Sequence, residues 1–210
     1  RKNGLAQSQI VILDAILKLR QICCHPALLS LPEAQNINQS SKLEDLMELV
    51  EPLVEEGRSM LIFSSFASML DIIAKRLDKE KIKYFKLTGK TRNRQALVDA
   101  FQAGERPVFL ISLKAGGTGL TLTQADTVIH YDPWWNPAVE DQATDRAYRI
   151  GQDKPVFVYK MTTESTIEEK MLSLKERKKS IAERIYSTSG DQARGLHFTL
   201  DDIDDLFAPI

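Results

Sequence analysis

The chain has 210 residues, 43% of them hydrophobic and 27% charged. A chain of this length buries roughly 70% of its unfolded surface, so disorder throughout is excluded and one large domain or slightly more is expected. With 28 basic and 29 acidic residues the net charge is −1, which argues against a uniformly basic nucleic-acid coat.

Taken in chain order, apolar residues first recur at helical spacing over Ile10, Leu13, Ile16, Leu19 and Ile22, a helix that stops near Pro26. Glu33 to Ser40 reads as a polar loop. Ser41 and Glu44 have the spacing of a capping box, opening a helix whose stripe is Leu43, Leu46, Met47, Val50 and Val54. An alternation follows. Strands are expected at Met60–Phe63, Tyr84–Leu87, Val108–Ile111, Thr127–Tyr131 and Val156–Lys160. Between them lie helices around Phe66–Leu77, Arg92–Ala103 and Ala138–Tyr148, and a glycine-rich loop at 116–119. Continuous apolar strands alternating with helices predict an α/β domain with a parallel sheet covered on both faces, and a phosphate-friendly edge at the strand C-termini. Ser165 and Glu168 form a second expected capping box, before a long helix with Ile167, Met171, Leu174, Ile181 and Ile185 on one stripe. Residues 187–195 read as a flexible segment, and Leu200, Ile203, Leu206 and Phe207 among aspartates as a short amphipathic tail.

The two cysteines, Cys23 and Cys24, cannot build a disulfide framework and fit a reducing, intracellular setting. No apolar run approaches the ~18 residues of a membrane span, and no signal peptide opens the chain. The first residue is Arg1 rather than Met, so the sequence reads as a piece of a longer polypeptide. The near-zero net charge hides a polarised arrangement. From Lys75 to Arg94 nine basic residues stand against Asp78 and Glu80, whereas Lys42–Arg58 and the last twelve residues are acidic. The basic run is either a solvated face or a nucleic-acid contact.

Gly89-Lys90-Thr91 resembles the end of a P-loop, but the required upstream glycine is Tyr84. Gly117 and Gly119 have G-x-G spacing, but Leu122 occupies the third glycine position of a dinucleotide fingerprint. No complete nucleotide site is therefore present, and no strand ends in an Asp-Glu pair suited to a nucleotide's magnesium. Cys23-Cys24-His25 reads as a packed helix end rather than a metal site. The segment from Ser112 to Leu120, with Lys114, is either an anion-facing turn or an ordinary one. Gln142, Arg146 and Arg149 share one helical stripe; spacing favours a surface salt-bridged to Asp141 and Asp145, and arginine fingers are the functional alternative. Of the paired tryptophans in Asp132-Pro-Trp-Trp-Asn-Pro137, one suits the core and the other a base-stacking surface.

In combination these blocks are recognisable. LRQICCHPALL (19–29), LIFSSF (61–66), LTGKT with Arg94, SLKAGGTGLTLTQADTVI (112–129), DPWWNP (132–137) and QATDRAYRIGQ (142–152) occur in this order. The set resembles the C-terminal RecA-like ATPase lobe of Swi/Snf-type DNA translocases in helicase superfamily two, from Leu19 to about Lys178. The resemblance implies a three-layer α/β fold with a mostly parallel central sheet, flanking helices and a C-terminal brace helix. It divides the chain into an N-terminal helix and linker (1–41), the lobe (42–163), the brace (164–186) and a tail (187–210). It implies that Arg146 and Arg149 reach nucleotide phosphates, with Gln142, Gly117 and Gly119 beside them. Lys114, Ser64, Thr91, Arg94, Trp134, Trp135 and Asn136 match positions near the DNA backbone. The family usually has glutamine where Ser65 stands, which puts that one contact in doubt. ATP with magnesium is expected mainly on an N-terminal RecA-like lobe of the same polypeptide, so this part alone is expected to be monomeric and inactive as an ATPase. The remaining implied partners are double-stranded DNA and protein bound to it, with a DNA-associated location and no membrane. The competing class is a non-catalytic α/β module that binds nucleic acid or protein.

Overall fold

The computed structural model describes residues 2–115, 120–149, 151–186 and Leu206, with side chains for 10–115, 120–149, 151–177 and 206. Seven α-helices and five strands are described: α1 (Lys2–Cys24), α2 (Pro32–Gln35), α3 (Ser41–Glu55), β1 (Met60–Ser64), α4 (Ala67–Lys79), β2 (Tyr84–Leu87), α5 (Arg94–Gln102), β3 (Val108–Ser112), β4 (Thr127–His130), α6 (Pro137–Thr144), β5 (Phe157–Lys160) and α7 (Ile167–Tyr186).

The strands form one sheet in the order β2-β3-β1-β4-β5, and every pairing is parallel. The period-2 alternation of strands sorts their side chains into two cores. Met60, Ile62, Val108, Leu110 and Ile129 face α3 and α4. Leu61, Phe63, Phe109, Ile111 and Val128 face α5 and α6. The three layers expected from the alternation are present. The sheet is wholly buried at β1, β3 and β4, which explains their unbroken apolar sequence.

Helix ends are set by backbone geometry more than by side-chain caps. Gly57 and Gly104, both at φ +75°, close α3 and α5. At each, the glycine's own amide and the next one bond back to the last turn: Gly57 N to Val54 O and Arg58 N to Leu53 O, and Gly104 N to Phe101 O and Glu105 N to Ala100 O. This 6→1 and 5→2 pattern needs a left-handed residue, which glycine supplies without strain.

Several local expectations are corrected. The stretch 33–40 is not all loop, because Pro32 at a first-turn position opens the short helix α2. Ser41 and Glu44 form no capping box: Ser40 is the N-cap, its hydroxyl donates to Cys24 O, and Glu44 pairs with Arg76. At the start of α7 the cap lies one residue later than expected. Thr166 Oγ1 accepts from Glu168 N, and Glu169 accepts from Ser165 N. Glu168 is thereby released to reach Lys42. On α1 the apolar residues taken three apart do not share a face, since each step of three turns ~60° around the helix. Ile10, Leu13, Leu19 and Ile22 are exposed, and the inward face is Ile16, Arg20 and Cys24, four residues apart.

α7 crosses from the sheet to α1. Ile167, Met171 and Leu174 pack with Ile16 and with Leu206. The side chains of Ile181 and Ile185, and the proposed flexible segment and tail apart from Leu206, lie outside the described residues. A buried ion pair between Lys42 on α3 and Glu168 fastens the start of α7. Among the described residues no helix is long and apolar enough to cross a membrane.

His130, at the end of β4, stacks on Phe63 with ring centroids 5.6 Å apart and shares a hydrogen bond with Thr144 Oγ1 at 3.0 Å. Burial lowers its pKa from 6.5 to about 4. The folded chain therefore holds the ring neutral while the unfolded chain protonates it, so stability falls as pH drops through 6.5 and levels off near 4. Between pH 7 and pH 5 this histidine alone costs about 2 kcal/mol of stability, with His25, also lowered by burial, acting in the same direction. Urea unfolding at the two pH values checks it, and His130→Gln is expected to remove about that much of the pH dependence.

Candidate functional site

All five strands end at one edge of the sheet, and the polar groups collected there come from segments far apart in sequence. Asp132, just beyond β4, is 1% exposed and takes donors from three directions. Ser64 Oγ donates to Oδ1 at 2.6 Å, the Ser65 amide donates at 3.1 Å, and the Ser65 hydroxyl donates to Oδ2. The third residue is Arg20 of α1, 4% exposed, whose Nη2 is 3.3 Å from Asp132 Oδ2 and also donates to Ser65 Oγ and Pro133 O. The guanidinium carbon lies 5.2 to 5.6 Å from the ring centroids of Phe66, Trp134 and Trp135. Cation and rings thus pack the tryptophan loop against α1 and the end of β1.

The tryptophans divide between two cores. Trp134 packs on the α5/α6 side of the sheet, and Trp135 on the α1/α7 cluster. Both are half-buried. Asn136 is exposed, and its Oδ1 accepts from Ala138 N, making it the N-cap of α6. Ser64 is fully buried with its hydroxyl used both ways, donating to Asp132 and accepting from Phe66 N. It shapes the loop after β1 rather than offering a contact at the surface. Ser65, where the resemblance leads one to expect glutamine, is committed to the same carboxylate.

Across the edge, Thr91 Oγ1 accepts from Thr88 N, and Arg94 reaches both Thr91 O and Ala115 O. The TGKT turn and the loop after β3 are therefore joined, with Lys114 exposed between them. The basic run is arranged around β2, an edge strand. Lys75, Arg76 and Lys79 lie on α4, Lys81 and Lys83 before β2, and Lys90, Arg92 and Arg94 beyond its C-terminal end. Two of its charges are already neutralised, Arg76 by Glu44 and Glu80, and Lys86 by Asp71.

The second group lies beyond α6. That helix ends at Thr144, not Tyr148: Thr144 Oγ1 bonds back to Glu140 O, and Leu122 N captures Arg146 O at 2.9 Å. Gln142, Arg146 and Arg149 consequently do not share a helical stripe. Gln142 is exposed on α6, whereas Arg146 is 4% exposed on the turn that follows. Arg146 forms no ion pair with Asp141 or Asp145 among the described residues, and its buried Nε has no hydrogen-bond partner. Burial, followed by the nearby charge of Arg149, pulls its pKa below the usual arginine value. Arg149 Nη1 donates to Thr121 Oγ1 at 3.2 Å. Two neighbouring guanidinium groups with an unfilled donor make a setting for an anion. Gly117 and Gly119, in the loop that leads to Thr121, lie outside the described residues.

The sequence profile described as the helicase conserved C-terminal domain matches residues 41–151. The SWI2/SNF2 ATPase C-terminal domain of Sulfolobus solfataricus aligns over 94% of this chain and 77% of that one, at 31% identity and a TM-score of 0.68. The chain belongs to the helicase C-terminal domain family, in its SWI2/SNF2 branch. The Sulfolobus SWI2/SNF2 ATPase core solved in complex with dsDNA matches this lobe at 37% identity and a TM-score of 0.69, over 85% of this chain and 38% of that one. Among curated relatives, YwqA of Bacillus subtilis, named for an inferred ATP-dependent helicase/translocase role, is 45% identical over 85% of this chain. The SNF2 domain-containing protein ENL1 of Oryza sativa is 42% identical over 80%. The lobe spans about a fifth of the length of these relatives, 20% and 17% respectively.

Arg20 and Asp132 escaped the sequence reading as a pair because 112 residues separate them. One signal was available: Arg20 sits midway between Ile16 and Cys24 on an i, i+4 face, and a lone cation on a buried face calls for an anionic partner. Replacing Arg20 with alanine in this SWI2/SNF2 lobe strands a buried carboxylate and is expected to cost about 3–5 kcal/mol in urea unfolding. Arg20→Ala combined with Asp132→Ala should cost less than the two single changes added together. Strict additivity would refute the pairing.

Proposed function

We propose that the chain is the second half of an ATP-dependent motor that moves along double-stranded DNA. The observation that carries this reading is the Arg146–Arg149 pair: one guanidinium buried with an unfilled donor, the other beside it, both tied to the loop that follows β3. That donor set fits the phosphates of a nucleotide rather than a divalent cation. The chain has no complete P-loop, so the nucleotide and its magnesium would be held mainly by a preceding RecA-like lobe of the same polypeptide. Bound there, ATP supplies a phosphoryl group whose developing charge Arg146 and Arg149 neutralise when the two lobes close.

The strand-end edge supplies the grip on DNA in this proposal. Lys114, Thr91 and Arg94 approach the backbone from one side and the tryptophan loop from the other, with Ser64 and Asn136 holding the loops that carry them. Gln142, Gly117 and Gly119 accompany the arginines. Opening and closing of the cleft then shifts this grip along the duplex. Residues 42–163 form the lobe in this scheme, 164–186 the brace and 187–210 an appended tail. In this proposal the protein works on DNA, a reading supported by Arabidopsis thaliana relatives named for chromatin remodelling.

Arg149→Ala in the two-lobed polypeptide is expected to lower DNA-stimulated ATPase by about 10³ or more. Wild-type turnover in that variant would overturn the role. A second reading, a module that holds nucleic acid without catalysis, draws on the basic run around β2. It predicts DNA affinity that falls steeply with salt but does not respond to Arg149→Ala or to nucleotide.

A further inference from the structure

Glu140 belongs to none of the phosphate or DNA positions above, yet its carboxylate gathers donors from three separate elements. It lies on α6 and is 2% exposed. Oε1 accepts from the backbone amide of Trp134 at 2.6 Å and from Lys175 Nζ at 2.8 Å, and Oε2 is 3.3 Å from Lys160 Nζ. These donors come from three separate elements: the tryptophan loop, the brace α7 and the edge strand β5. Lys175 is itself nearly buried, at 9% exposed, whereas Lys160 is half in solvent. Burial alone would raise the Glu140 pKa, but the Lys175 hydrogen bond, the Trp134 amide and the two lysine charges outweigh it and leave the carboxyl below its ordinary value. The group is therefore charged, held from three sides, and unable to exchange Lys175 for water without exposing both charges' partners.

The same residue anchors the chemistry-bearing segment. Its carbonyl accepts from Thr144 Oγ1 at the end of α6, two residues before Arg146. One end of the Glu140 residue thus fixes the amide of the tryptophan loop and the other the turn that carries the arginines. α7, held at its start by the Lys42–Glu168 pair, reaches Glu140 two turns further on.

We propose that Glu140 is a positioning residue through which the brace α7 sets the tryptophan loop and the arginine turn together, by way of the buried Lys175–Glu140–Trp134 chain. This rests on the motor reading above. A shift of α7 along its axis would pull Lys175 from the carboxylate, and the Trp134 amide and α6 would lose their common anchor. The link is a contiguous chain of polar contacts with one shared acceptor, a physical basis for coupling between two sites.

Both tryptophans of the chain lie in this loop, so its selectively excited tryptophan fluorescence reports on the loop alone. In Lys175→Met the emission is expected to shift and acrylamide quenching to rise, with Lys175→Arg restoring both and Lys160→Met leaving them near wild type. Glu140→Gln should behave as Lys175→Met does; if it fails to fold, the lysine series still decides. Wild-type emission and quenching in Lys175→Met would overturn the proposal. In the two-lobed polypeptide Lys175→Met is expected to lower DNA-stimulated turnover about tenfold, again restored by arginine. Full turnover in Lys175→Met alongside an inactive Arg149→Ala overturns the coupling and spares the motor reading. Full turnover in Arg149→Ala overturns both.

Discussion

A carboxylate withdrawn from water must be met by donors, and that requirement at Asp132 organises the working edge of the lobe. The residue follows β4 directly, so the sheet fixes its position before any loop is considered. Ser64 and Ser65 reach it because β1 and β4 are parallel neighbours, in register from Met60–Thr127 to Phe63–His130. Arg20 reaches it from α1, bringing a helix that otherwise touches the sheet little. The tryptophan loop leaves from this point already held by two cation–ring contacts to Arg20. Without Asp132 the ends of β1, β4 and α1 have no common partner.

Among the described residues Glu140 and Glu168 are buried carboxylates of the same kind, and each recruits a lysine from a different element. Buried ion pairs contribute little net stability compared with apolar packing, but they penalise every arrangement that separates them. That property suits elements that pack through modest apolar contacts and still need one orientation. α7 is such an element: Ile167, Met171 and Leu174 give it a narrow apolar stripe, while Lys42 and Glu140 define where along that stripe it sits. By contrast the central strands carry no such devices, because two continuous apolar faces specify them.

Arg146 stands outside this pattern of ion-paired buried charges. It is as buried as Arg20, yet among the described residues it has no carboxylate partner and its neighbour is another arginine. Every other buried charged side chain among the described residues has an ion-pair partner; Arg146 has an arginine beside it instead, a setting that favours an anionic ligand. The proposed phosphate contact follows from that contrast as much as from the family membership.

The sheet, its parallel sense and its two covering layers were legible in the sequence, since runs such as Met60–Phe63 and Val108–Ile111 have no polar face to offer solvent. The motif blocks located the arginines, the tryptophans and the TGKT turn to the residue. What the sequence could not determine was how those side chains are used. Helical periodicity carried α6 to Tyr148, but a tertiary bond from Leu122 stops it at Thr144 and turns Arg146 inward. Capping spacing pointed to Glu44 and Glu168, which instead satisfy Arg76 and Lys42 from elsewhere in the chain. The pairs Arg20–Asp132, Lys42–Glu168 and Glu140–Lys175 join residues 35 to 126 positions apart. Patterns within one element record which face is apolar; only the folded arrangement decides which distant charge each buried charge meets.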